Sequence, residues 1–478
     1  MHRRLRNAIT LAAGLSVAVA GLAAGTPAAA AGRRADTARD LTAATVSVPS
    51  PTVSRPPNTP GGPLVLQADL TQMPQYGYTQ DEFLYEGNAR SYNPAGPIGA
   101  DGQWSVAKAA TAPYKTRMLV RRPTNPAKFN GTVVVEWLNV TAGFDTSPDW
   151  QYERVELMRQ GYIWVGISAQ IVGVQGGTLA LKNIDPARYG TLNHPGDDFS
   201  YDMYSQAARA LVAPRGVNPL AGFTPRYLIA DGESQSASRM TTYVNAISPR
   251  DHAYDAYLIH SRSAGASAIN STSTTPMPNP SFVRTDIPTP VMVIEAETDI
   301  PRYFPARQPD SAHYREWEIA GTAHADLYML GPASAGVLGC VLPPNAGPQH
   351  YVVHTALRDL RTWMRSPWKL PPSSPRIQVD AQGVIARDVF GNSLGGIRSP
   401  QLDVPAATLS GFGNSPNLCT LFGTTTKFTP TRMTGIYGSR DVYLGLYLAL
   451  EYRALDSKFM LPEDGFEILS EAYAVPFA

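Results

Sequence analysis

Short apolar runs rich in β-branched residues recur from residue 132 to residue 294, and longer stretches with helical periodicity separate them; a strand with an alternating pattern follows at 314–319. Runs of this kind are typical of strands that are buried on both faces, as in parallel sheets. Strands that alternate with helices form βαβ units, so we expect an α/β fold with a mostly parallel central sheet and helices on both faces. The predicted strands are 132–138, 162–167, 226–230, 254–259, 290–294 and 314–319.

Amphipathic stretches between and after these strands predict helices. In the third of them, Val353, Leu357 and Leu360 lie on one stripe, as expected for a helix that packs on a sheet. From Pro371 onward the sequence becomes rich in Gly, Pro and Asn. We therefore expect a core at 61–370 and an extension at 371–478 that wraps onto it as part of one domain. The predicted helices are 198–211, 235–246, 349–364 and 441–455.

The N-terminal segment has the three parts of a secretory signal peptide. Three arginines without an acid precede an apolar stretch at 8–24, and Ala29–Ala31 supplies small residues for cleavage. A membrane anchor is the alternative, but the stretch is short and only weakly apolar for a span. We expect residues 1–31 to be removed, which leaves no integral membrane span. Residues 32–60, rich in Arg, Thr, Ser and Pro, are predicted to be a flexible linker.

Charge and cysteine content exclude several classes of protein. The chain has 40 Lys and Arg against 39 Asp and Glu, whereas a dedicated nucleic-acid binder usually has a strongly basic domain. We expect no nucleic-acid partner. Two cysteines are too few for a four-cysteine zinc site or a disulfide-dense scaffold. In an exported protein Cys340 and Cys419 are expected to form a disulfide, and two buried thiols are the alternative.

A candidate nucleophile follows the third predicted strand. This strand leads into Gly232–Ser236 (GESQS), after which a helix begins. A serine at a sharp strand-to-helix turn has a strained backbone that exposes its hydroxyl, and small residues two positions before and after it let strand and helix approach. The last small residue here is Ser236, where the G-x-S-x-G motif has glycine. The motif alone is weak evidence, because Ser234 could also simply cap the helix.

An acid and a histidine follow Ser234 in the chain order that this motif requires. Asp299 lies just beyond the fifth strand, where a loop carboxylate can reach inward, and Glu297 and Glu295 remain alternatives. His324 lies five residues past the strand 314–319, on a loop that contains glycine. The order serine, acid, histidine predicts that the three side chains converge.

The chemistry explains why these residue types are needed together. A neutral imidazole accepts the proton of the attacking serine, and a carboxylate at the other ring nitrogen stabilises the resulting cation. Backbone N–H groups must stabilise the oxyanion; we expect these from Gln235 and from either Val140 or Thr141. We expect no metal and no organic cofactor. His350 and His354 lie four apart on one helix, but no H-E-x-x-H pattern is present, which favours a solvated helix face.

Five segments of the chain resemble the secreted and envelope-associated alpha/beta-hydrolase-domain proteins of bacteria, a subgroup of the α/β-hydrolase superfamily. The resemblance spans about 61–470 and includes the C-terminal extension, which favours one continuous domain. It implies an α/β-hydrolase fold in which Ser234, Asp299 and His324 form a catalytic triad. The segments are 135–140 (VEWLNV), 194–198 (HPGDD), 232–237 (GESQSA), 320–326 (AGTAHAD) and 391–398 (GNSLGGIR), the last without a derivable role beyond a packed turn.

Together these observations predict a secreted serine hydrolase of the extracellular space or cell envelope that acts on a small-molecule carboxylic ester or acyl substrate. A peptidase or amidase with the same triad is one alternative, and a non-catalytic hydrolase-fold protein that binds a ligand is another. We expect the loops 169–195, 261–288 and 325–348 to form the walls of a moderately apolar pocket above Ser234.

Overall fold

One segment of the predicted linker differs from the expectation. The predicted signal peptide, 1–31, lies outside the residues that the structure describes. Part of the predicted linker is described, and there Thr52–Ser54 forms a strand that pairs with the sheet. Ordered structure therefore begins before Gly61. The computed structural model describes residues 48–64, 68–272, 275–331 and 338–478.

One ten-stranded sheet organises these residues. Its strands are β1 (Thr52–Ser54), β2 (Tyr78–Pro94), β3 (Val106–Pro123), β4 (Thr132–Trp137), β5 (Ile163–Ile167), β6 (Arg215–Gly216), β7 (Tyr227–Glu233), β8 (Ala256–His260), β9 (Val291–Ala296) and β10 (Tyr314–Ile319). The strand order is β10-β9-β8-β7-β4-β5-β3-β2-β1-β6. The six strands from β10 to β5 are parallel, and β3, β2 and β1 continue the sheet by antiparallel pairing.

Helices cover both faces of this sheet. The longer ones are α1 (Pro148–Gln160), α2 (Ser200–Val212), α3 (Gln235–Thr242), α4 (Gln349–Arg365), α5 (Pro430–Tyr437), α6 (Arg440–Asp456) and α7 (Gly465–Tyr473). Single turns of helix lie at Met73–Tyr76, Leu181–Ile184, Pro186–Tyr189, Ser248–Asp251, Ile300–Tyr303, Leu327–Leu330 and Pro400–Asp403. A π-helical turn, Tyr243–Ile247, continues α3.

Alternation along the central strands produces two cores. Successive side chains of a strand point to opposite faces, so Val133 and Val135 of β4 join a core with α2 and α3. Val134 joins the opposite core with α1 and α4. Every residue of β4 is buried, which explains why its sequence is mostly apolar rather than alternating.

The C-terminal extension shares one of these cores. Ile397 adds a short parallel bridge to Ile319 at the end of β10, and the Trp317 ring contacts Phe459 edge-on at 4.9 Å. A small antiparallel pair, β11 (Ala407–Ser410) and β12 (Thr424–Lys427), lies in the same region. The expected disulfide between Cys340 and Cys419 is present and links the extension to the loop before α4.

The predicted architecture is confirmed: a mostly parallel sheet, helices on both faces and a C-terminal extension. The six predicted strands correspond to β4, β5, β7, β8, β9 and β10, with boundaries shifted by up to three residues. The antiparallel strands β1–β3 and the helix α1 were not predicted. In the described ranges, no helix combines the length and apolarity needed to cross a bilayer.

Candidate active site

Ser234 lies at the sharp turn between β7 and α3. Its backbone has φ 61° and ψ −118°, a left-handed conformation that few non-glycine residues adopt. The N–H of Ser234 donates to the carbonyl of His260 at the end of β8, at 2.9 Å, which anchors the turn to the sheet. A Cβ at Gly232 would lie 3.1 Å from the backbone of Ser236, so a larger residue at 232 would crowd the close approach of strand and helix.

His324 lies between the predicted serine and the predicted acid. Its Nε2 is 2.7 Å from Ser234 Oγ, and its Nδ1 is 2.7 Å from Asp299 Oδ1. The backbone N–H of His324 donates to Thr298 Oγ1 at 3.1 Å, which joins the histidine loop to the turn that carries Asp299. The imidazole is 8% exposed. The structure thus brings together all three side chains that were expected to converge.

The two alternative acids lie elsewhere. Glu297 accepts hydrogen bonds from the N–H of Gly321 at 2.8 Å and from Ser393 Oγ at 2.7 Å, and its other oxygen accepts from Arg387 at 2.9 Å. Glu295 accepts from the N–H of Arg262 at 3.2 Å. Glu297 therefore binds the segment 391–398, whose role was not derivable, to the loops that hold the acid and the histidine.

Glu233, which the sequence analysis did not single out, is a fourth member of the cluster. Its Oε1 is 3.2 Å from His324 Nε2, and its Oε2 accepts a hydrogen bond from Asn139 at 3.3 Å. Burial raises the pKa of Glu233 to about 8. Burial disfavours the charged form of His324, but the carboxylates of Asp299 and Glu233 outweigh this and raise its pKa to about 9. The only sequence signal for Glu233 is its position next to Ser234.

The expected oxyanion donors lie around the same serine. Gln235 is the first residue of α3, where a backbone N–H has no acceptor within the helix. The N–H of Thr141 already donates to Asn139 Oδ1 at 2.8 Å. No hydrogen bond of the Val140 N–H is found in the described chain. Asn139 also donates to the carbonyl of Glu233 at 3.0 Å, which connects this loop to the serine turn.

A cavity of about 620 Å³ opens above Ser234 and His324. Asn139, Thr141 and Glu233 line its polar end. Its described lining includes no residue of 169–195 or 261–288, so two of the three loops expected to form its walls do not. Most of the remaining wall is apolar and comes from the loop after β4, from the region after His324 and from the C-terminal extension, for example Phe144, Met329, Leu330, Leu421 and Phe422.

His350 and His354 are buried rather than solvated, which corrects the expectation of an exposed helix face. The ring of His350 stacks on Tyr328 at 3.7 Å between centroids, and His354 Nδ1 is 3.0 Å from Asp464 Oδ2. Burial also lowers the pKa of His350 well below its usual value. Across the described ranges, no group of three His, Cys, Asp or Glu side chains is arranged to hold a metal ion.

Comparison with known proteins places this geometry in a family. The family model described as alpha/beta hydrolase domain matches residues 46–470. No curated protein sequence matches the chain. Among solved structures, the chain is similar to an α/β serine hydrolase from Xanthomonas campestris (13% identity, 60% of this chain and 97% of that chain, TM-score 0.28). It is also similar to an esterase from Rhizomucor miehei (11% identity, 66% of this chain and 100% of that chain, TM-score 0.31). A methylesterase is similar as well (12% identity, 70% of this chain and 64% of that chain, TM-score 0.35).

Proposed function

The chain belongs to the alpha/beta hydrolase domain family, and on that premise we propose that it is a secreted serine hydrolase that cleaves carboxylic esters. The observation that carries the proposal is the hydrogen-bonded series from Ser234 through His324 to Asp299, with 2.7 Å at each of its two contacts. The serine lies at the floor of an open cavity, where an ester carbonyl can approach its hydroxyl.

In the proposed reaction, Ser234 Oγ bonds to the ester carbonyl carbon while His324 Nε2 accepts the serine proton. The bond from that carbon to the alcohol oxygen then breaks, and the alcohol leaves with the proton from His324. A water molecule next gives a proton to His324 and attacks the acyl carbon, which releases the acid and returns the proton to Ser234. The N–H groups of Gln235 and Val140 are the proposed oxyanion donors, since the N–H of Thr141 already bonds to Asn139.

A serine-directed probe tests this proposal. A fluorophosphonate should label Ser234, and Ser234→Ala should abolish labelling and lower ester hydrolysis by about 10⁵-fold to 10⁶-fold, because the nucleophile is lost. The matched control is Ser236→Ala, two residues away in the same turn, which keeps the Cβ and should retain both. Unchanged labelling of Ser234→Ala, mapped by mass spectrometry, would refute the assignment.

Export is the second part of the proposal. It rests on the sequence of residues 1–31 and is supported by the Cys340–Cys419 disulfide, because such bonds persist mainly in oxidising compartments. Protein recovered from the culture medium or envelope should begin after Ala31, as N-terminal sequencing would establish. An intact N terminus in the cytosol would contradict export without affecting the proposed chemistry.

A further inference from the structure

The cavity above Ser234 carries little charge. Its described lining contains two ionisable side chains, Glu233 and His324, and no Lys or Arg. Both belong to the cluster around the serine rather than to the outer wall. An anionic substituent that lay along the outer wall would lose water and gain no cationic partner there, which costs free energy. The lining therefore favours a neutral substrate.

Two distant segments of the chain build the outer wall. Leu338 comes from the region before α4, and Leu418, Leu421 and Phe422 come from the C-terminal extension. The Cys340–Cys419 disulfide joins the two segments. Backbone hydrogen bonds also hold the extension in place, since the N–H of Ala325, next to His324, donates to Leu421 at 3.1 Å and that of Asn345 donates to Phe422 at 2.8 Å. The wall is thus fixed relative to the candidate active site.

This apolar surface ends at an open edge. Leu338 and Leu418 line the cavity yet are 41% and 42% exposed, so a chain that passes them leaves the protein and enters water. The cavity volume, about 620 Å³, is in the range that holds a small organic ligand. Apolar contact along the wall can therefore discriminate chain length only up to this edge.

We propose, as an extension of the proposed ester hydrolysis, that the substrate is a neutral ester with a linear apolar chain that lies along the wall formed by Leu338, Leu418, Leu421 and Phe422. The chain can belong to the acyl group or to the alcohol, since either substituent of the ester can occupy the apolar wall. The disulfide-linked extension is then the element that determines substrate selectivity, and Ser234 performs the same chemistry on every member of the series.

Two series of esters separate the two sources of the chain. One series lengthens the acyl group of an ester of a short alcohol, and the other lengthens the alcohol of an acetate. In one of them kcat/KM should rise about fourfold per added methylene and then level off when the chain passes the open edge. An ester whose chain ends in a carboxylate should be hydrolysed more slowly than its methyl-ended counterpart. A flat response in both series, or a preference for the carboxylate, would overturn the inference.

A pair of leucines with nearly equal exposure supplies the matched variants. Leu418 is 42% exposed and lines the cavity, whereas Leu342 is 44% exposed, lies close to the same disulfide and does not line it. Leu418→Arg should remove most of the chain-length preference and improve hydrolysis of the carboxylate-ended ester. Leu342→Arg should change none of these. Equal effects of the two variants would refute the proposed wall.

The outcome also separates this inference from the proposed function. Loss of all ester hydrolysis in Ser234→Ala, together with a flat chain-length response in the unmodified protein, would retain the hydrolase and reject the apolar-chain substrate. Undiminished hydrolysis in Ser234→Ala would instead reject the proposed nucleophile, whatever the chain-length response.

Discussion

Two histidines near the same edge of the sheet each face an aspartate at hydrogen-bond distance, yet their surroundings differ. His324 Nδ1 is 2.7 Å from Asp299, and His260 Nδ1, at the end of β8, is 2.8 Å from Asp149. His260 and Asp149 are completely buried. The Nε2 of His260 accepts from the side-chain amide of Gln349 at 3.0 Å, so this ring has a hydrogen-bond partner at both nitrogens.

The two histidine–aspartate pairs differ in what the Nε2 atom of each histidine faces. At His324 it faces a hydroxyl, Ser234 Oγ, and a carboxylate, Glu233, at the floor of an open cavity. The Nε2 of His260 faces the side-chain amide of Gln349, which has no hydroxyl that could act as a nucleophile. Both side chains are buried away from solvent. A histidine–aspartate pair is therefore insufficient evidence for catalysis. The comparison supports the proposed chemistry at the pair that reaches a serine and a cavity, and it favours a structural role for His260 and Asp149.

The largest expected difference comes from removing each imidazole. His324→Ala should lower kcat/KM by about 10⁵-fold to 10⁶-fold, because Ser234 loses its base. His260→Ala should lower the free energy of unfolding by about 3 kcal/mol, because Asp149 stays buried without its partner. The kcat/KM of the folded His260→Ala variant should remain within about tenfold of that of the unmodified protein. Ester kinetics and urea unfolding measure both effects, and a fully stable but inactive His260→Ala variant would contradict the comparison.

Replacing the aspartate of each pair by asparagine should again lower activity at His324 and stability at His260, with smaller effects than removal of the imidazoles. Asp299→Asn should lower kcat by about 10⁴-fold, because the amide no longer fixes the tautomer or stabilises the imidazolium of His324. Asp149→Asn should leave kcat nearly unchanged and destabilise the fold by about 1–3 kcal/mol. Glu297→Gln serves as the control for the choice of acid, and it should affect stability rather than kcat. If Glu297→Gln lost as much kcat as Asp299→Asn, Asp299 could not be distinguished from Glu297 as the acid of the triad.

The parallel strands and the order of the serine, the acid and the histidine were predictable because both are local signals. β4 is mostly apolar, and Ser234, Asp299 and His324 each follow the end of a strand. The antiparallel strands β2 and β3 were missed because polar residues interrupt them. Among these, Arg117 and Arg121 are almost completely buried, and the Arg121 guanidinium packs over the rings of both Trp150 and Trp164. Sequence patterns that treat arginine as a surface residue do not detect such a strand.

Contacts between distant parts of the chain explain most other differences. The sequence left Glu297 open as an alternative acid, because its bonds to Arg387 and Ser393 come from about 90 residues further along the chain. The apolar wall that includes Leu421 depends on the fold of the extension, which has no strong periodic pattern. His354 was expected at the surface, and it is buried because Asp464 of the same extension covers it.

The smallest expected effect concerns Glu233, the carboxylate that has no counterpart beside His260. Glu233→Gln gives His324 an amide neighbour at Nε2, like the one that His260 has. In the unmodified protein His324 faces Asp299, Glu233 and Arg302, and Glu233 also faces Asp149. The two carboxylates hold the pKa of His324 at about 9, so the imidazole gains its base form only as the pH rises above neutrality.

The acid limb of the kcat/KM profile reports this pKa. In the unmodified protein, activity should rise between pH 7 and pH 9, because an imidazolium cannot accept the proton of Ser234. The pKa of Glu233 is about 8, so it carries a negative charge mainly above that pH. Removing this charge destabilises the imidazolium, so Glu233→Gln should move the limb to lower pH and make the variant faster near pH 8. The control is Glu295→Gln, a buried carboxylate that bonds to Arg262 instead. A limb that stays in place, or that moves equally in both variants, would show that Glu233 does not set the basicity of His324.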